Sequence, residues 1–75
     1  MDMVDAGVGR DLVRRVAFNL RMCRFQKGCT QLQLGLRVGM DGSSIGRYER
    51  CERVMDLEVL GLLAAGLEVA PADLL

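Results

Sequence analysis

The stretch TQLQLGLRVGMDGSSIGRYERC, residues 30–51, holds two helix-length segments separated by very little chain. Thr30 suits an N-cap, because its hydroxyl oxygen can accept a free amide two or three residues on. Gly39 is a stop signal, since glycine adopts a left-handed backbone without a Cβ clash. Met40 then crosses to Asp41, a second residue of the N-cap type. The spacing predicts helices over about residues 31–38 and 42–51, joined by a turn of about three residues. Two helices this short cannot each bury a face alone, so the rest of the chain must enclose them.

The flanking sequence supplies that enclosure. Leu12, Val16, Leu20 and Cys23 recur at three- and four-residue steps, which predicts a first helix over about residues 10–27 that ends at Gly28. Residues 1–9 show no sustained period and are expected to form a flexible tail, leaving 10–75 as the domain. Asp56 is expected to cap a fourth helix over about 57–66, with Leu57, Leu60, Ala64 and Leu67 inward. Pro71 suits the first position of a short fifth helix, loosely capped by Ala70. The fold class is therefore all-α with five helices. In the second helix Leu34 and Val38 form the inward edge, and Gly35 lies beside them where a missing side chain permits close approach.

Bulk composition narrows the function. The chain has 75 residues, 51% apolar and 4% aromatic, which suits one small core of Leu, Val, Met and Ala. A core of that size is marginal alone, so a partner subunit is expected. Cys23, Cys29 and Cys51 form no CxxC pair and the chain has no His, which argues against a zinc site and for reduced thiols of a cytoplasmic protein. No cofactor is implied. No apolar run reaches membrane-spanning length, and the acidic N-terminus does not resemble a signal peptide. With no His and no nucleophile–base pair, an enzyme is not expected.

Formal net charge is zero, yet its distribution is uneven. All ten cations lie between residues 10 and 53, alongside four acids, so that segment carries +6. The two ends carry only acids. A basic body with acidic ends points to a polyanion-facing surface.

Two short capped helices around a tight turn are the signature of a helix-turn-helix, here about residues 31–50. In that motif the first helix crosses the phosphate backbone and the second enters the major groove. On a helical wheel of the third helix, Ile45, Tyr48 and Glu49 cluster on one side, while Ser43, Gly46, Arg47 and Arg50 fall on the other. The joint spacing of Thr30-Gln31, Gly35, Val38-Gly39-Met40, Ile45, Tyr48-Glu49, Leu57, Leu60, Ala64, Leu67, Val69, Pro71 and Leu74 resembles the Cro/cI-type (Xre-like) helix-turn-helix family of phage and bacterial repressors. The resemblance spans about residues 12–75. It implies a five-helix, lambda-repressor-like domain working as a homodimer on palindromic double-stranded DNA.

Carried over by position, the resemblance implies that Gln31 contacts a phosphate and braces the recognition helix. Gly42, Ser43, Ser44 and Arg47 match positions that face DNA, and Arg50 and Arg53 match positions at the flanking backbone. Arg24 and Glu49 match a pair that forms a buried salt bridge. Cys51 stands where family members often have Gly, and Val54-Met55 where they often have Asn-Pro.

Gly42 and Gly46 carry no side chain, and Ser43 and Ser44 are short, so Arg47 is the one long donor on the outward face. It either pairs with a guanine edge or clamps a phosphate. Few direct contacts place more weight on DNA shape and half-site spacing. Surplus apolar residues complete the picture. Leu62, Val69, Leu74 and Leu75 are expected to form the dimer interface. Phe18, Met22 and Phe25 form a second stripe on the first helix, suited to the core or to another protein. Leu32 and Leu36 stand where the family is usually polar.

The leading expectation is a small dimeric transcriptional regulator, a repressor or autoregulator, similar to restriction–modification controller proteins and small phage repressors. The alternative is an antitoxin or adaptor that uses the fold to hold a protein, with DNA binding secondary.

Overall fold

A computed structural model describes residues 7–75 of the chain. Four α-helices and a 3-10 turn follow in order: α1 Gly7–Gln26, α2 Gln31–Val38, α3 Gly42–Glu49, α4 Leu57–Leu67, and the turn Pro71–Leu74. The fifth helix of the sequence reading is thus a single 3-10 turn. The first helix begins at Gly7, so residues 7–9 of the expected tail are helical. Residues 1–6 of that tail lie outside the described residues. α3 stops at Glu49 rather than near residue 51.

The helix starts follow local chemistry. Thr30 Oγ1 accepts from Gln33 N–H at 3.0 Å, and Gln33 Oε1 accepts from Thr30 N–H at 2.9 Å, a reciprocal capping box. Asp56 caps α4 by accepting from Val59 N–H at 2.8 Å. Asp41 differs from expectation. It occupies the N-cap position with extended backbone, but its side chain makes no capping bond, and only its carbonyl accepts, from Ser44 and Ile45. At the 3-10 turn, Ala70 cannot cap with its methyl. Instead the Asp73 carboxylate accepts from Ala70 N–H at 3.0 Å.

All four α-helices end alike. One residue turns left-handed, and the next donates its N–H to a carbonyl five residues back. These bonds are Cys29 to Arg24 (3.0 Å), Met40 to Gly35 (2.8 Å), Glu52 to Arg47 (2.8 Å) and Val69 to Ala64 (3.0 Å). The left-handed residue is Gly28 or Gly39 at two ends, but Cys51 (φ 61°) and Glu68 (φ 59°) at the others. The Gly expected at position 51 from the family pattern therefore has a backbone reason.

The core gathers Val16, Leu20, Cys29, Leu34, Ile45, Tyr48, Leu60, Leu63, Ala64, Leu67 and Leu74. Each fully buried Leu or Ile contributes about 1.5–3 kcal/mol over its exposed state. Two wheel assignments fail. Leu57 is 82% exposed and Leu12 47% exposed. Leu57 opens α4 and Leu12 lies in the second turn of α1, and both line a shallow apolar groove with Val54 and Leu75 rather than entering the core. Leu74, expected at a dimer interface, is fully buried. The 3-10 turn folds it back under α1, where Asn19 Nδ2 donates to its carbonyl at 3.2 Å.

Glycines set the helix spacing. At Gly35 a Cβ would stand against the Met40 carbonyl oxygen, so the turn can fold directly over α2. At Gly66 a Cβ would strike Val38 and Leu34, which draws α4 onto α2. Arg37 Nη1 fastens that contact by donating to Gly66 O at 3.1 Å.

Candidate nucleic-acid interface

The two motif helices are locked by a polar cluster around Glu49. Arg24 Nε donates to Glu49 Oε2 at 2.7 Å and Arg24 Nη2 to Oε1 at 3.0 Å. Gln31 Nε2 donates to the same Oε1 at 3.1 Å. Arg24 Nη1 donates to Cys29 O at 3.0 Å, so one guanidinium also ties down the loop before α2. The Arg24 and Glu49 side chains are 8% and 4% exposed, which makes this a buried bidentate pair. Its hydrogen bond to Glu49 raises the pKa of Arg24 above the ordinary arginine range. The Phe25 ring covers the guanidinium from outside, 4.7 Å from its carbon to the ring centroid.

With Ile45 and Tyr48 buried and the Glu49 carboxylate held, the outward face of α3 is fixed. Ser43, Arg47 and Arg50 are exposed on it, and Ser44 is half-buried at its edge. Arg53 follows on the loop, its guanidinium 5.8 Å from the Tyr48 ring centroid. The seven residues expected to contact DNA thus lie along α3, its exit loop and the start of α2, but not all face outward.

Gly42 does not, and neither does Gly46, which the wheel places on the outer side. A Cβ at Gly42 would stand 3.2 Å from the backbone of Leu32, so this glycine faces α2 and lets the two helices touch. A Cβ at Gly46 would stand 2.8 Å from Arg50 Nη1 and 3.4 Å from Gln31 Oε1. The wheel had set Gly46 outward, whereas it is buried beneath those two side chains. Both glycines therefore serve the packing of the motif.

Two contacts carry no clear signal in the sequence. The Gln31–Glu49 bond joins residues 18 apart and depends on the glycine-tight approach of α2 to α3. Arg50 forms a bidentate pair with Glu52, Nε to Oε2 at 3.0 Å and Nη2 to Oε1 at 3.2 Å. The hydrogen bond from Arg50 holds the Glu52 carboxyl below the usual carboxylate range, and the same bond raises Arg50.

The remaining expected surfaces divide. Leu62 and Leu75 are 43% and 42% exposed and Val69 is half-buried, while Leu74 is unavailable to any partner. Phe18, Met22 and Phe25 are 63%, 37% and 53% exposed, so that stripe does not extend the core. Among the described residues, no helix is long and apolar enough to cross a membrane, and no three potential metal ligands cluster.

Comparison with known proteins agrees with this geometry. The helix-turn-helix domain family matches residues 15–75. The restriction–modification controller protein C.AhdI from Aeromonas hydrophila is 32% identical, over 84% of this chain and 96% of its own, with a TM-score of 0.80. The wild-type restriction–modification controller C.Esp1396I is 32% identical over 84% of this chain and 81% of its own, TM-score 0.78. A hypothetical transcription factor, NHTF from Neisseria, is 31% identical over 100% of this chain and 83% of its own, TM-score 0.83. The comparison with curated proteins gives no match. The chain therefore belongs to the helix-turn-helix domain family, among the Xre-like regulators that bind DNA to control transcription.

Proposed function

We propose that this protein is a homodimeric repressor or autoregulator that places α3 in the major groove of a palindromic operator. The observation that carries the reading is the division of α3. Ile45, Tyr48 and Glu49 are committed inward, and Ser43, Arg47 and Arg50 are presented on a rigid outward face. A helix held this firmly meets DNA with its side chains already placed, which lowers the ordering cost of binding.

On that face Arg47 is the base reader or the central phosphate clamp, with Ser43 and Ser44 as short donors and acceptors beside it. Gln31 at the start of α2, Arg50 and Arg53 supply backbone contacts. Gly42 contributes by bringing α2 close enough for Gln31 to reach the same surface. The dimer forms through Leu62, Val69 and Leu75 around the end of α4 and the 3-10 turn, a region whose charges are all acidic and hence repelled by DNA. The similarity to restriction–modification controllers makes the DNA upstream of the protein's own gene the natural target.

The experiment is a genomic-fragment binding selection with purified protein, followed by salt titration on the selected fragment. A steep fall of affinity with salt marks phosphate neutralisation. Affinity that ignores salt would overturn the reading.

One observation favours a second reading. Phe18 and Phe25 stand exposed on α1 with Arg21 stacked on Phe25 at 5.5 Å. An antitoxin or adaptor would use this ridge to hold a protein, leaving DNA binding secondary. Alanine at Phe18 and Met22 would then abolish function while leaving DNA affinity intact.

A further inference from the structure

Arg50 differs from its neighbours on the recognition face. Arg47 and Arg53 make no ion pair among the described residues, whereas both branches of the Arg50 fork are taken by Glu52. Two parallel N–H···O bonds to one carboxylate repeat the geometry by which arginine grips a phosphate. The remaining nitrogen, Nη1, reaches over Gly46 beside the Gln31 amide. The fork therefore lies where α2 and α3 meet on the surface that faces DNA.

The pairing is built by the helix terminus. Cys51 turns left-handed, and Glu52 N–H returns to Arg47 O at 2.8 Å. That backbone bond fixes Glu52 over the last turn of α3, two residues from Arg50. Both side chains remain exposed, 58% for Arg50 and 54% for Glu52, so solvent or a phosphate can displace either.

We infer that the Glu52 carboxylate is an internal stand-in for a DNA phosphate: it holds the Arg50 fork in the free protein and is displaced when the duplex backbone arrives. The inference rests on α3 being the DNA-binding face. Glu52 then lowers the sequence-independent part of the affinity, because each binding event must first exchange one anion for another. Exposed ion pairs are weak, so the exchange is reversible and its effect modest. A brake on backbone affinity shortens the time the protein spends on unrelated DNA. Glu52 is thus a positioning residue for Arg50 and makes no contact with DNA itself.

The test is a double-mutant cycle on the full chain, using the upstream fragment of its own gene and an unrelated duplex of equal length. Glu52→Gln is expected to bind both duplexes about two- to five-fold tighter at low salt, as suits the loss of a weak exposed pair. The slope of log affinity against log salt is expected to stay nearly the same, because Arg50 neutralises the same phosphate in both proteins. In an Arg50→Ala background, where no fork is left to hold, the same substitution is expected to leave the affinity unchanged. Thermal unfolding of each variant confirms that the fold is kept, and Glu52→Ala repeats the measurement with a different side chain.

Unchanged affinity in Glu52→Gln would overturn the inference, and so would a slope steeper by about 0.9, which would mean that Arg50 meets no phosphate in the wild-type protein. So would a gain that persists undiminished without Arg50, which would mark general repulsion between Glu52 and DNA. A wild-type protein with no salt-dependent duplex binding would overturn the DNA-binding reading itself, and this inference with it.

Discussion

Gln31 and Glu49 are joined by a 3.1 Å hydrogen bond that ties the first residue of α2 to the last residue of α3. Glu49 meanwhile accepts two bonds from Arg24 of α1. One carboxylate thus holds three helices, and the relative placement of the motif depends on it. Breaking a buried pair on one side is expected to cost about 3–5 kcal/mol, because the other charge is left without compensation. Glu49→Ala should show this loss in denaturant unfolding. The double variant Arg24→Met/Glu49→Leu should recover much of the stability but still bind DNA more weakly, since nothing then braces Gln31.

The left-handed helix ends predict two stabilising substitutions. A non-glycine residue in that conformation costs about 1–2 kcal/mol. Cys51→Gly and Glu68→Gly should each raise stability by about 1 kcal/mol, and the two should add because they close different helices. Gly28→Ala and Gly39→Ala should lower it by a similar amount. Chemical denaturation midpoints measure all four.

The burial of Leu74 separates folding from dimerisation. Leu74→Ala should destabilise the protomer by about 2–5 kcal/mol through the cavity it leaves. Leu62→Asp should leave the helical fold intact and shift the protein to monomer. Sedimentation velocity and circular dichroism on the two variants distinguish these outcomes, and a Leu62→Asp protein that remains dimeric would move the interface elsewhere.

Arg47 carries the specificity question. If it reads a base, Arg47→Ala should lose about 1–3 kcal/mol on the operator and less on variants altered at that base. Equal loss on every duplex would make Arg47 a phosphate contact. Affinities across a set of single-base operator variants decide between the two.

Much of this architecture was legible in the chain. Thr30, Asp56, Gly28 and Gly39 marked helix ends because capping and left-handed turns depend on residues close in sequence. The alternation of Ile45, Tyr48 and Glu49 with Ser43 and Arg47 showed which side of α3 turns inward. Less was legible where a position depends on distant chain. Gly46 fell outward on the wheel, yet it lies beneath Gln31 and Arg50, side chains that converge only after α2 docks. Leu57 and Leu74 exchanged expected places because periodicity cannot tell how far α1 extends or how the last turn folds back. The Arg50–Glu52 pair requires the left-handed turn at Cys51, which the residue type itself does not announce and only the family's glycine at that position hints at.

The central claim is that the outward face of α3, braced through Glu49, is the DNA-binding surface. The most direct measurement is amide chemical-shift mapping by NMR as a duplex is added to the labelled protein. The account predicts the largest changes in residues 30–33 and 42–53, with the outer face of α1 at Phe18 and Met22 unmoved. Changes centred on Phe18, Met22 and Phe25, with α3 silent, would contradict it.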